Sequence, residues 1–241
     1  MAVKPIRYRG ETFRIAYDIV NPEADRDLIF LHGWGSSKEV MKQPFAQAFG
    51  AWRHIYIDLP GFGKSSNDMV LQTEDYAAIV DLFLQNLGAN KEAAVGHSFG
   101  GKVATLIKPE RLVLLSSAGI VLPKPFKVRA KIALFKLLKP FGGTRLRNIF
   151  ASSDAAGMAQ NMYETFKNVV DEDFRSEFAA FDKPALLLWG TQDTATPPVT
   201  GETLAKLMQK SEFSLIEGDH YFFLKNRHPV ISKMEAFLET V

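Results

Sequence analysis

The chain reads as an α/β protein with a mostly parallel sheet flanked by helices. Apolar runs of strand length alternate with helix-periodic stretches, as parallel strands joined by helical crossovers require. Residues capable of nucleophilic or acid–base chemistry fall directly behind several of those runs, at the strand carboxyl ends where open α/β sheets gather functional groups. The alternation breaks between about residues 122 and 181, where helical patterns continue without a convincing strand.

Taken in order, residues 6–9 and 13–20 form an opening antiparallel pair turned near Gly10-Glu11. Asp27-Leu28-Ile29-Phe30-Leu31 is the next strand, and residues 39–49 are helical. His54-Ile55-Tyr56-Ile57-Asp58 is a strand, residues 73–87 an amphipathic helix, and Glu92-Ala93-Ala94-Val95 a short buried strand. Only residues 99–108 remain for a helix before Pro109-Glu110 and the strand at 111–116. That helix has two to three turns at ~3.6 residues each, short enough to open a groove or a partner surface on its face. Residues 119–181 are expected to be an inserted helical lid, dividing a core made of residues 1–118 and 182–241. The sheet resumes at 184–189 and 212–216, and a last helix carries His228 near its start.

Gly96-His97-Ser98-Phe99-Gly100 lies between a strand and a helix. Gly-x-Ser-x-Gly in that setting is a nucleophile elbow, a turn so tight that its neighbours must be small. The turn lifts the Ser98 hydroxyl clear of the sheet, and the following helix aims backbone N–H groups at developing negative charge. An acyl-transfer serine also needs a base and an acid to orient it, expected in the order serine, acid, histidine. Asp193 follows the apolar run 184–189 through Gly190-Thr191-Gln192, and His220 follows the strand 212–216 through Glu217-Gly218-Asp219. Both occupy strand-end loops, in the required order. Among the other histidines, His54 begins a strand and His228 lies on a helix. His97 sits next to the nucleophile, so its side chain should point away on the other side of the elbow. Asp219 adjoins His220 too closely to bond its imidazole and is read as a loop-shaping carboxylate.

The loop His32-Gly33-Trp34-Gly35 follows the strand 27–31. Oxyanion donors are expected on the residue after the nucleophile and in this early loop, which selects the backbones of Phe99 and Trp34. Gly33 and His32 are expected beside the substrate, with His32 also bracing the loop through hydrogen bonds.

These pieces, together with Asp58-Leu59-Pro60-Gly61-Phe62-Gly63-Lys64-Ser65, resemble the α/β-hydrolase superfamily over nearly the whole chain. The resemblance implies an eight-stranded, mostly parallel sheet with helices on both faces and a lid inserted late in the sheet. The His-Gly-Trp-Gly and Asp-Leu-Pro-Gly-Phe-Gly pieces are also similar to those of the pimeloyl-acyl-carrier-protein methyl ester carboxylesterases. They are shared with general carboxylesterases and with hydrolases of carbon–carbon bonds in ring-fission products. The expected activity is serine-dependent carboxylic ester hydrolysis through an acyl-enzyme, with no cofactor and no metal. Carbon–carbon hydrolysis and a ligand-binding protein with a vestigial triad are the alternatives.

Composition narrows the classes further. The 241-residue chain has no cysteine, which excludes disulfides, thiolate catalysis and cysteine-ligated zinc. No signal peptide is visible near the start and no apolar run approaches ~18 residues, so a cytoplasmic location is expected. Gly61-Phe62-Gly63-Lys64-Ser65 resembles the end of a phosphate-binding loop, but the required earlier glycine is Asp58 and the pattern fails. Residues 124–147 carry eight lysines and arginines, including Lys131, Lys136 and Arg145, and no acidic residue. This is read as an amphipathic lid helix whose basic face is either solvated or attracts an anionic partner such as an acyl carrier protein. A net charge of +2 does not favour nucleic acid.

Overall fold

A computed structural model describes residues 1–123 and 158–239. Its centre is one eight-stranded sheet in the order β1-β2-β4-β3-β5-β6-β7-β8. The strands are β1 Ala2–Tyr8, β2 Glu11–Val20, β3 Arg26–Leu31, β4 Trp52–Ile57, β5 Ala93–His97, β6 Arg111–Leu115, β7 Ala185–Gly190 and β8 Ser211–Ile216. β2 pairs antiparallel with β1 and β4, and every other pairing is parallel. The opening hairpin turns through Arg9 (φ 48°) and Gly10 (φ 86°), a two-residue turn whose positive φ values suit the twist of its strands.

The parallel strands are apolar almost without interruption because both faces of the sheet are covered. Alternation within each strand decides which side chain goes to which face. Ile29, Leu31, Ala94, Leu112, Leu114 and Leu187 face one core. That core is closed by α2 (Thr73–Leu87) and α3 (Phe99–Leu106), α5 (Arg175–Ala180) and α6 (Pro198–Leu207), through Ile79, Val103, Phe178 and Leu204. Leu28, Phe30, Ala93, Val95 and Val113 face the other core. It is closed by α1 (Lys38–Phe45), α7 (Phe222–Lys225) and α8 (Arg227–Glu239). The remaining helix, α4, spans Gln160–Val169.

Element boundaries shift in places. β1 begins at Ala2 and β4 at Trp52, each earlier than apolar content alone indicates. α1 ends at Phe45 rather than at residue 49; Pro44 lies inside it and Phe49 adopts φ 50°, outside helical space. α3 is as short as expected, but its face is not an open groove. Lys102 on that helix is buried under the end of Gln160–Val169 (α4) and the residues that follow it. Residues 124–157, including the whole basic run, lie outside the described residues. Between β6 and β7, Phe174 N–H donates to Gly119 O (2.8 Å), and Phe174 and Phe178 are buried. Among the described residues no helix is long and apolar enough to cross a membrane.

Candidate active site

The turn after β5 holds an unusual backbone conformation. Ser98 adopts φ 52° and ψ −118°, a region that costs a non-glycine residue on the order of 1–3 kcal/mol. The surroundings over-determine it: Ser98 N–H donates to Leu115 O, while Ser98 O accepts from the amides of Gly101 (3.0 Å) and Ala118 (3.1 Å). Close approach explains the flanking glycines. A Cβ on Gly96 would stand 2.5 Å from Gly100 O, and one on Gly100 only 2.4 Å from Leu31 O. The motif therefore records a backbone that can pack in no other way.

Asp193 leaves β7 in a loop pinned to the end of β8, with Thr191 N–H donating to Ile216 O and Gln192 N–H to Gly218 O. Its carboxylate is buried and heavily engaged. Oδ1 accepts from the amides of Ala195 (2.8 Å) and Thr196 (2.9 Å). Oδ2 lies 2.8 Å from His220 Nδ1 and 2.9 Å from Thr196 Oγ1. Burial would raise the Asp193 pKa, but the hydrogen bond and charge of His220, the Thr196 amide and the Ser116 hydroxyl hold it down to about 2. An ionised carboxylate only accepts, so Nδ1 of His220 carries the proton and Nε2 presents a lone pair.

Ser98, His220 and the loop residues Gly33 and Trp34 line one cavity of about 790 Å³. This lies within the size range of small-molecule sites. Ser98 Oγ and His220 are not hydrogen-bonded to each other; such bonds are often long in unliganded enzymes and tighten with substrate. As the first residue of α3, Phe99 has no carbonyl one turn back to take its N–H. Gly33 lets the early loop approach the elbow: a Cβ there would meet His97 Nδ1 at 3.0 Å and Ser98 Cβ at 3.1 Å. Trp34 stacks edge-on against Phe62 and Phe99, which fixes this loop against α3. Among the described residues no group of His, Cys, Asp and Glu is arranged to hold a metal ion.

Two expectations about histidines need correction. His32, expected beside the substrate, is fully buried and away from the cavity wall. Its Nε2 accepts from Leu59 N–H (3.0 Å), so Nδ1 carries the proton and donates to Gly33 O (2.8 Å). Its place is bracing the loop, and Gly33 alone of the pair reaches the cavity. His97, expected to turn away from the site, instead lies beneath His220, with ring centroids 4.6 Å apart. Its Nε2 donates to the backbone carbonyl of His220 (3.0 Å). Burial, reinforced by the neighbouring His220 charge, pushes the His97 pKa down to about 3. Asp219 behaves as a loop former, accepting from Tyr221 N–H (2.9 Å).

Thr196 and Lys102 were not singled out from sequence. Thr196 packs its hydroxyl between Asp193 Oδ2, Ser116 O and His220 Nδ1. Lys102 is 1% exposed, lines the same cavity, and is bound to Val169 O (2.7 Å) and Glu172 Oε2 (2.6 Å). Burial pulls its pKa below the usual lysine value, opposed by Glu172.

The chain is similar to several known proteins along most of its length. It is 25% identical over 242 residues to a pimeloyl-[acyl-carrier protein] methyl ester esterase of Vibrio campbellii, spanning 88% of this chain and 94% of that one. The esterase EaEST from Exiguobacterium antarcticum superposes with a TM-score of 0.76 at 19% identity, covering 98% of this chain and 99% of that one. A bromoperoxidase from Bacillus anthracis superposes with a TM-score of 0.75 at 20% identity, covering 99% and 100%. Likenesses at that identity establish the fold, which hosts more than one chemistry. Residues 28–232 match the model of the alpha/beta hydrolase family, and with the strand order and elbow described above the chain belongs to that family.

Proposed function

We propose that this protein hydrolyses carboxylic esters through an acyl-enzyme, with Ser98 as nucleophile, His220 as general base and acid, and Asp193 as the orienting carboxylate. The observation that carries this reading is the 2.8 Å contact of His220 Nδ1 with Asp193 Oδ2, at the wall of the cavity that Ser98 also lines. His220 Nε2 takes the Ser98 proton as Oγ bonds to the ester carbonyl carbon. The carbonyl electron pair moves to oxygen, where the Phe99 and Trp34 amides receive it. Such donors contribute because charge develops only in the transition state, and losing one costs about 100- to 1,000-fold. Collapse breaks the bond to the alcohol oxygen, which leaves with the proton from His220. Water then attacks the acyl carbon, gives its proton to His220, and releases the acid as Ser98 regains its hydrogen. Asp193 stays ionised throughout.

We read the physiological ester as one that an acidic acyl carrier protein can deliver. The name of the Vibrio relative supports this, as does the basic run at residues 124–147. A carrier-borne methyl ester should then be cleaved faster than the free ester, with an advantage that salt removes. The primary test is hydrolysis of p-nitrophenyl esters from acetate to dodecanoate by wild type and Ser98→Ala. Turnover that depends on Ser98 is expected, with a chain-length optimum set by the cavity. Turnover retained in Ser98→Ala would overturn the assignment. No turnover of any of these p-nitrophenyl esters would transfer it to a strictly carrier-bound ester, to carbon–carbon hydrolysis or to ligand binding.

A further inference from the structure

Lys102 lies four residues beyond Ser98 on α3, about 6 Å further along the helix axis. Its ammonium carries three N–H donors. Two are taken by Val169 O and Glu172 Oε2, and among the described residues nothing accepts the third. Glu172 is also half satisfied: Oε2 accepts from both Lys102 and Thr73 Oγ1 (2.5 Å), and Oε1 has no partner among the described residues. Both side chains belong to the cavity wall. The rings of Phe99 and Phe174 stand 5.5 and 5.2 Å from the ammonium and limit its access to water.

A lone buried lysine would call for an anionic ligand. Here Glu172 offsets the charge, which leaves one open donor beside one open acceptor in a stretch of wall that also holds Phe99, Val169 and Val170. A hydroxyl group matches that pair, accepting from Lys102 Nζ and donating to Glu172 Oε1. We infer that Lys102 and Glu172 form an acyl-chain subsite that selects esters bearing a hydroxyl on the acyl part over plain alkanoates. This inference rests on the cavity being the acyl site of the proposed hydrolase.

The test is equilibrium binding of unreactive amides, which needs no turnover. Alkanamides of four to eight carbons are compared by calorimetry with their ω-hydroxy and ω-carboxylate counterparts. In wild type the best ω-hydroxy amide should bind about tenfold more tightly than the plain amide of equal length. In Lys102→Met that ratio should fall to about one. In Glu172→Gln the ammonium loses its paired carboxylate, keeping only the more distant Glu74 and Glu177, and the preference should shift to the ω-carboxylate by about tenfold. A wild-type ratio of one at every length, or a ratio that survives in Lys102→Met, would overturn the subsite. Should Lys102→Met fail to fold, wild type and Glu172→Gln decide the matter, since no gain for the carboxylate overturns it equally. Hydroxyl selectivity without ester turnover would sink the hydrolase reading and keep the subsite; Ser98-dependent turnover without selectivity would do the reverse.

Discussion

His97 Nε2 donates to the backbone carbonyl of His220 across 3.0 Å, so the residue before Ser98 holds the loop that presents His220. The link joins the ends of β5 and β8 at the cavity. His97→Phe preserves a buried ring but leaves that carbonyl without its donor, a loss of about 1–3 kcal/mol. We expect kcat for a p-nitrophenyl ester to fall ten- to hundredfold, about the same free energy, with KM nearly unchanged. A loss seated mainly in KM would contradict a positioning role.

Asp193 and Asp219 are neighbours of the same imidazole with different work. Asp193→Asn removes the acceptor for Nδ1–H and should lower kcat by about 10,000-fold, as loss of the correct tautomer does elsewhere. Among the described residues the Asp219 carboxylate accepts only from the Tyr221 amide, so Asp219→Asn should stay within a few-fold of wild type. Steady-state kinetics on the two variants check the ranking.

Acid should unfold this protein from near pH 6.5 downward. His32 and His97 are fully buried and neutral, with pKa values pushed by burial to about 4 and about 3. An unfolded histidine takes up a proton near 6.5. Below that pH the unfolded chain binds protons that the folded chain refuses, so stability present above 6.5 is lost until pH reaches the folded-state values. The slope is about 1.4 kcal/mol per pH unit for each such histidine. Asp193 extends the trend: the stability it contributes above about pH 3.8 is lost as pH falls toward 2. Thermal unfolding midpoints should fall steadily between pH 6.5 and 4; a flat profile would contradict burial of these rings.

Gly100→Ala should be among the most damaging single-methyl additions in the chain. The new Cβ would meet the backbone carbonyls of Leu31 and His32 at 2.4 and 2.5 Å, and neither strand end can give way without moving β3. Gly50→Ala, where nothing lies within 4 Å, is the control. Overpacking of this kind typically costs about 1–3 kcal/mol. Unfolding free energies of the two variants, from denaturant titration, should differ by about that much.

The sheet was legible because its strands are buried on both faces and so read as unbroken apolar runs, as in Leu186-Leu187-Leu188-Trp189. The elbow was legible because sterics force its glycines. Where each histidine points was harder to read, since identity and chain position do not specify it. His32 and His97 both flank motif residues, yet one braces a turn and the other props the His220 loop. Lys102 left no trace at all. A lysine on a short helix reads as exposed, and its burial depends on Glu172, 70 residues away between β6 and β7. Thr196 was equally silent, because its role comes from the Asp193 turn rather than from any period or spacing.

The proposed chemistry requires Ser98 to be an activated nucleophile, and covalent labelling reads that property directly. Wild type treated with a fluorophosphonate should gain the mass of one adduct, mapped by peptide mass spectrometry to Ser98. His220→Ala should label at least about 100-fold more slowly, since the base contributes that much to activation. Labelling at any other residue, or labelling of Ser98 at an unchanged rate without His220, would contradict the account.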